Sequence, residues 1–343
     1  MIATAAINWF SDLGEGTGAF QVIDHQADRD FGWRVMIRLE GGTVVPLRLQ
    51  GRKRITPREL LGFAQHVNQT SPGETIVLCS ERVSPRVAAM CSSLNLGYLD
   101  TFGNCHLKCP GLYLHIEGHK PEPALARRAA DLFAPRSSRV SRLLLSDPKR
   151  GWRVQELAKE AQISLGLASR VKQGLLDEAY VEFREGRTYV RSPRELLNAW
   201  KQHYKAPQSR LFYVMESAVE IEEKIEVWAQ TCSRPYGLTG LSGARRVAPM
   251  VRQNLVVAYV DLSSRAETEE FTFAVKAKAV DSGANLVIWQ PADDYVFHGA
   301  RRFGGTTVVS SLQLYLDLSV VPGRGEEAAE EILHRELEPL WQA

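Results

Sequence analysis

No apolar run in this 343-residue sequence approaches the roughly 20 residues that a membrane-spanning helix needs, which excludes a transmembrane protein of the helical kind. Nor does the N-terminal stretch Met1 to Phe10 carry the basic residues that open a secretory signal, and it reads instead as a short amphipathic helix. Cysteine is sparse. Five residues, an odd number in a chain this long, suit a reducing cytoplasm better than a disulfide framework. A strong imbalance of charge is also missing: the formal net charge is +2, which alone argues neither for nor against nucleic acid. What is present is a hydrophobic fraction of 44%, enough for two or three domains of ordinary size each to bury a core.

The distribution of charge is more telling than its sum. Between Arg136 and Arg210 stand sixteen Lys and Arg against eight Asp and Glu, a local +8 that leaves −6 for the rest of the chain. A basic module within an acidic frame is the electrostatic footprint of a DNA-binding surface, although basic helix faces are often only solvated.

Residues 1–122 read as one α/β domain. Arg34 to Leu39 and Val44 to Gln50 are strand-like and join across Gly41-Gly42 as a hairpin. Thr56-Pro57-Arg58-Glu59 opens a helix, with Thr56 as cap and Glu59 completing a capping box. Thr75 to Cys79 is a short buried strand, Ser84-Pro85 starts a second helix, and Leu112 to Ile116 alternates as a final strand. This order resembles the restriction-endonuclease-like fold, in which a hairpin strand carries an acidic residue followed, after one intervening residue, by lysine. Those groups hold the metal ion and activate water. The corresponding strand, Pro46-Leu47-Arg48-Leu49-Gln50-Gly51-Arg52, has no carboxylate, and Asp28, Asp30 and Glu40 lack a basic partner at the required spacing. The domain is therefore expected to be a degenerate nuclease, without catalytic residues or a metal.

One pattern is metal-like: Cys105-x3-Cys109 followed by His115-x3-His119. The separation between the pairs is far short of that in zinc sites. If the strand at Leu112 continues, His115 and His119 would lie about 13 Å apart at ~3.3 Å per residue, too far for one ion. Incidental thiols and imidazoles are expected, and no cofactor. Lys120 to Pro135 reads as a connector, with Pro121 and Pro123 stiffening it, a short helix through Ala124 to Ala130, and Pro135 closing it.

Residues 123–205 contain Ser138 to Arg191, which reads as a winged helix-turn-helix. Its first helix starts near Ser138 and buries Val140, Leu143 and Leu144. A second, from Trp152 to Ala161, has Val154, Leu157, Ala158 and Ala161 on one face. Ser164 caps a third, whose inner face is Ala168, Val171 and Leu175. Gly166, Ser169, Arg170, Lys172 and Gln173 point elsewhere, which makes this the recognition helix. Arg170 suits guanine, Gln173 suits adenine, Ser164 suits a phosphate at the helix N-terminus, and Gly166 lets the backbone come close. Tyr180 to Arg184 and Arg187 to Arg191 form a hairpin around Glu185-Gly186, a wing placing Arg184 and Arg187 near phosphate or the minor groove.

Residues 206–343 read as a C-terminal α/β domain. Glu216 to Gln230 and Ala244 to Ala248 are helical, while Leu255 to Val260 and Asn285 to Trp289 are central strands. Gly237 to Gly243 could cradle phosphate before a helix, but no phosphate-binding signature accompanies these glycines, and close packing is the better reason for them. Neither a Ser-His-Asp arrangement nor a paired-carboxylate motif can be assembled here. A winged helix followed by Thr239-Gly240-Leu241-Ser242-Gly243-Ala244, Leu314-Tyr315-Leu316-Asp317-Leu318 and Gly323-Arg324-Gly325-Glu326-Glu327-Ala328-Ala329 resembles the AbiEi-type antitoxins of type IV toxin–antitoxin systems. The stretch Gly97 to Asn104 is similar to one in long relatives of that group. The resemblance implies an autorepressor of the operon that encodes it and a nucleotidyltransferase-like toxin, with the C-terminal domain contributing to antitoxicity. Typical members begin with the winged helix, whereas here a whole domain precedes it.

The expectation is thus an α/β multidomain protein, not an enzyme: a cytoplasmic regulator that binds operator double-stranded DNA as two copies on repeated half-sites, with no membrane partner. The alternatives are a nucleic-acid-processing enzyme with an active first domain and a DNA-binding scaffold of a mobile-element complex. In a gel-shift against its own upstream DNA, Mg²⁺ is expected to leave the retarded DNA uncut, whereas metal-dependent cleavage would restore the nuclease.

Overall fold

Burial alternates along Gly32–Leu39, with Val35, Ile37 and Leu39 inside and Arg34 and Arg38 outside, as it must in a strand that covers a core with one face. That strand belongs to the first of two units into which the chain divides, Met1–Ala129 with Gln173–Ala179; the second is Ala130–Lys172 with Tyr180–Ala343. The computed structural model describes residues 2–28, 32–70, 75–118, 132–248 and 254–342. The expected connector helix, the boundary between residues 122 and 123, Asp30 and His119 lie outside the described residues.

In the first unit, helix α1 (Ile2–Thr17) precedes strands β1 (Phe20–Asp28), β2 (Gly32–Leu39) and β3 (Val44–Arg52). Then come α2 (Pro57–Thr70), β4 (Thr75–Ser80), α3 (Pro85–Ser93), β5 (Gly97–Asp100), β6 (Cys105–Cys109) and β7 (Leu112–Ile116). The seven strands lie side by side in chain order. Only the pairs β3–β4 and β4–β5 are parallel, and these are the pairs joined through helices, because a parallel return needs a crossover. One face of the sheet packs Val35, Ile37, Leu47, Leu49 and Cys79 with Ala6 and Phe10 of α1. The other packs Ile76, Leu78 and Tyr98 with Leu60, Ala64, Val87 and Cys91 of α2 and α3. Both helix starts follow local chemistry. Thr56 and Glu59 form the expected reciprocal cap, with the Thr56 amide donating to Glu59 Oε2 at 2.9 Å, and Ser84 Oγ accepts from the Val87 amide at 3.2 Å.

Strands β1, β5 and β6 were not legible as strands. β1 is an edge strand with a bulge between Val22 and Asp24, and its polar composition hides the period. β6 contains the Cys105 and Cys109 of the metal-like pattern. Its register sets His106 opposite His115 and Cys105 opposite Ile116, so the two imidazoles meet, Nδ1 to Nδ1 at 3.4 Å, while Cys105 joins the core beneath α1. Burial pushes the Cys105 thiol up to about 12 and lowers the His106 imidazole below its ordinary value.

The second unit begins with α4 (Pro135–Ser146), α5 (Val154–Glu160) and α6 (Leu165–Asp177, whose last turns are grouped with the first unit). The hairpin β8 (Val181–Arg184) and β9 (Arg187–Val190) and helix α7 (Pro193–His203) follow. Pro135 does not close a connector but opens α4, since a residue without an N–H costs nothing at the first helical turn. Glu185 and Gly186 both have positive φ, 52° and 75°, the two-residue turn that matches strand twist in a hairpin. Beyond α7 lie β10 (Ser209–Tyr213), α8 (Ala218–Thr231), β11 (Tyr236–Leu238), α9 (Gly240–Val247), β12 (Val256–Val260), α10 (Arg265–Val275), β13 (Lys278–Ala279) and β14 (Leu286–Trp289). The chain closes with β15 (Arg301–Phe303), β16 (Thr306–Val308), α11 (Ser311–Leu318), α12 (Arg324–Ile332) and α13 (Glu338–Gln342). Seven of these strands form a mixed sheet in the order β13-β10-β14-β12-β11-β16-β15, with the fully buried Val256–Val260 near its centre. The protein is therefore α/β and built from more than one sheet. Among the described residues no helix is long and apolar enough to cross a membrane.

Gly237 and Gly243, before and within α9, are there for close packing. A Cβ on Gly243 would stand 2.8 Å from the Leu238 carbonyl oxygen and from Leu314 Cδ2, and one on Gly237 would stand 2.7 Å from Val309 Cγ1. The Gly243→Val variant is expected to lose about 1–3 kcal/mol in urea denaturation, since the nearest obstacle is backbone. Unchanged stability would show that α9 can move off the sheet at no cost.

Candidate nucleic-acid interface

Helix α6 is built with two faces. Ala168, Val171 and Leu175 are buried, while Ser164, Leu165, Gly166, Ser169, Arg170 and Gln173 are exposed. Ser164 Oγ accepts from the Leu167 amide at 3.2 Å, leaving its hydroxyl hydrogen and the other first-turn amides to face outward. Open space surrounds Gly166: a Cβ there would meet nothing within 4 Å. Arg170 has no partner among the described residues, so its five donors are all available. Gln173 is engaged locally, donating through Nε2 to Asp177 Oδ1 at 2.8 Å. Lys172 is half-buried, its ammonium 4.9 Å from the centre of the Phe183 ring on β8.

The two arginines of the hairpin differ in kind. Arg184 is exposed, stacked 4.2 Å over Tyr189, with Nε 3.5 Å from Glu182. Arg187 is tied to its own surroundings: Nη1 donates to the Gly151 carbonyl at 2.8 Å and lies 3.6 Å from Glu156. The strand Arg187–Val190 is held further by Trp152, whose amide donates to the Thr188 carbonyl at 2.9 Å and whose carbonyl accepts from the Thr188 amide at 2.8 Å. Of the residues singled out in sequence, α6 brings Ser164, Gly166, Ser169, Arg170 and Gln173 to one exposed stretch, and the hairpin contributes Arg184. Arg187 serves the hairpin's attachment.

Other bases of the same region are spent inward, which composition could not reveal. Arg139 of α4 grips Asp293 at 2.6–3.0 Å and donates to the Ala161 carbonyl at 3.0 Å. Arg194 pairs with Glu338 at 2.6 Å. Arg142, buried, donates to Gln313 Oε1 and lies over the Trp200 ring at 5.3 Å. Gln313 in turn donates to Asp317 Oδ1 at 2.7 Å. This fully buried carboxylate also accepts from the hydroxyls of Tyr204, Tyr259 (2.8 Å) and Thr239. Burial pushes the Asp317 carboxyl up to about 6, against the four donors, which favour the ionised form. The Tyr204 and Tyr259 phenols are raised by burial and by Asp317 beside them, and burial lowers the Arg142 guanidinium. The chain from α4 through Gln313 to Asp317 is thus a polar seam between the three-helix region and the C-terminal sheet, both within one unit.

Residues 189–338 match the family model described as a transcriptional regulator, AbiEi antitoxin, of type IV TA systems. No curated protein and no solved structure matches the chain. The matched region begins within β9, so it takes in α7 and the C-terminal sheet with Tyr204, Gln313 and Asp317, while α6 and the first unit precede it.

The seam has a pH signature. Because the folded-state pKa of Asp317 lies above its ordinary value near 3.9, its contribution to stability is complete below about pH 4 and is lost as pH rises toward about 6. The loss is of order 3 kcal/mol. Relative to the wild type, Asp317→Asn should gain stability across that window when urea midpoints are compared from pH 4 to 7. Parallel curves would show that the carboxyl titrates as it does in the unfolded chain.

Proposed function

We propose, from the premise that residues 189–338 belong to the AbiEi family of type IV antitoxin regulators, that this chain is a sequence-specific DNA-binding autorepressor. In this reading α4, α5, α6 and the β8–β9 hairpin form a winged helix-turn-helix, and α6 enters the major groove. The observation that carries it is the exposed face of α6, polar and headed by a capped N-terminus, with Arg170 unengaged among the described residues. Arg170 would read guanine in bidentate fashion, and Gln173 adenine after releasing Asp177. Ser169 and Lys172 flank that contact. Ser164 and the first amides of α6 would hold a phosphate, with Gly166 admitting the backbone. Arg184 would follow the DNA from the hairpin, and Arg187 would keep the hairpin in place as well as adding charge.

The chain is proposed to fall into three parts, residues 1–122, 123–205 and 206–343, working in the cytoplasm as two copies on repeated half-sites, with a nucleotidyltransferase-like toxin encoded alongside. The first part is proposed to be a restriction-endonuclease-like domain without its chemistry. Its α1-β1-β2-β3-α2-β4 order suits that fold, and Arg48 and Gln50 stand on β3 where acid and lysine would be needed.

Gel-shifts on operator and random DNA test the assignment of roles. Arg170→Ala is expected to cost ~1–3 kcal/mol on the operator and to relax sequence preference. Arg184→Ala should weaken binding to both DNAs alike and lower the slope of log affinity against log salt by about one. Equal losses on operator and random DNA for both variants would refute the division between base-reading and phosphate-holding residues.

A further inference from the structure

Helices α8 and α10 pack together through Trp228 and Phe271, whose rings meet edge to face at 5.0 Å. Their outer sides are anomalous for a surface that meets only water. Phe273 is 88% exposed and Val227 is 63% exposed. Between the helices runs a cleft of about 510 Å³, lined by Val227, Trp228 and Phe273 together with Glu216, Glu220, Glu223 and Glu270. Among the described residues its one lining cation, Lys224, is paired with Glu216 at 2.5 Å. Glu220, Glu223 and Glu270 remain, none of them in an ion pair among the described residues. Glu220 serves the α8 cap at Ser217 and Glu270 accepts from the Cys232 thiol, so both are held in place.

We propose that this cleft docks a basic amphipathic segment of a partner protein. Its apolar side chains would cover Phe273 and Val227, and its lysines or arginines would face Glu220, Glu223 and Glu270. Apolar anchors ringed by complementary charge give a short helix both affinity and orientation. Nucleic acid is disfavoured, since three carboxylates without an ion pair among the described residues repel phosphate. A second copy meeting this cleft across a two-fold axis would set the same carboxylates against one another. The proposal extends the regulator reading, because it gives the C-terminal part a partner of defined chemistry, but it does not depend on DNA.

The test uses the full chain and two labelled probe peptides of about 14 residues, one of leucine and lysine and one of leucine and glutamate, each long enough for an amphipathic helix of about four turns. Fluorescence anisotropy is recorded at ~50 and ~300 mM salt. The lysine peptide is expected to bind and the glutamate peptide not. Phe273→Ser and, separately, Glu223→Lys with Glu270→Lys should each weaken binding at least about tenfold, and the charge variant should also lose the salt dependence. All altered side chains are exposed, and matching thermal transitions confirm that the fold is kept. Unchanged affinity in both variants, or equal binding of the glutamate peptide, overturns the proposal. So does sedimentation showing a wild-type dimer that Phe273→Ser dissociates, since a second copy would then be the occupant. Operator gel-shifts on the same preparations separate the two readings: a wild type that binds the lysine peptide through this cleft but does not retard DNA removes the repressor and leaves the docking site.

Discussion

The buried carboxylate of Asp317 is the constraint around which the second unit is arranged. A charge without water is tolerable only if donors surround it, and here they come from α7's end, from β12, from the turn into α9 and from α11 itself. Each donor pins a different element. The Gln313 amide uses its other end to accept from Arg142, so the order extends into α4, the first helix of the proposed reading head. Removing any one member leaves buried groups unpaired, which is why such a seam specifies an arrangement more than it adds net stability.

This seam and the Arg139–Asp293 pair alter what the basic charge of the middle region means. The local +8 is real as a count, yet Arg139, Arg142 and Arg194 are committed to internal partners and Arg187 to a main-chain carbonyl and Glu156. The outward charge is therefore narrower than composition suggests, and it is carried by fewer, better defined groups, among them Arg170 and Arg184. On the proposed reading this favours recognition by a particular face over general attraction. In the C-terminal part, Glu220, Glu223 and Glu270 of α8 and α10 create a field of opposite sign around the exposed Val227 and Phe273. On the proposed readings, the second unit would offer one surface to phosphate and a different one to a basic protein segment.

Much of the architecture was legible because it is local. Thr56 with Glu59, Ser84 before Pro85 and Ser164 before α6 announce helix starts through bonds spanning three residues, and Glu185-Gly186 announces its hairpin through backbone preference. Helix periodicity separated Ala168, Val171 and Leu175 from Arg170 and Gln173. Most strands that escaped were short or polar. β1 mixes acids, amides and a histidine, while β11, β15 and β16 are three residues each, too brief for a period-two signal. Pro135 was misplaced because a proline marks equally well the close of one segment and the first turn of the next.

Sequence alone was sufficient to establish the capped starts of α2, α3 and α6, the β2–β3 and β8–β9 hairpins, that β3 bears no carboxylate, and which side chains of α6 turn outward. These depend on residues a few positions apart. Whether a given arginine is free or spent was decided only in three dimensions. Arg142 and Gln313 are separated by 171 positions, and Arg139 and Asp293 by 154, so nothing in the neighbourhood of either arginine foretells its partner. A guanidinium buried in the fold must find an acceptor wherever the chain brings one, and that choice is made by packing.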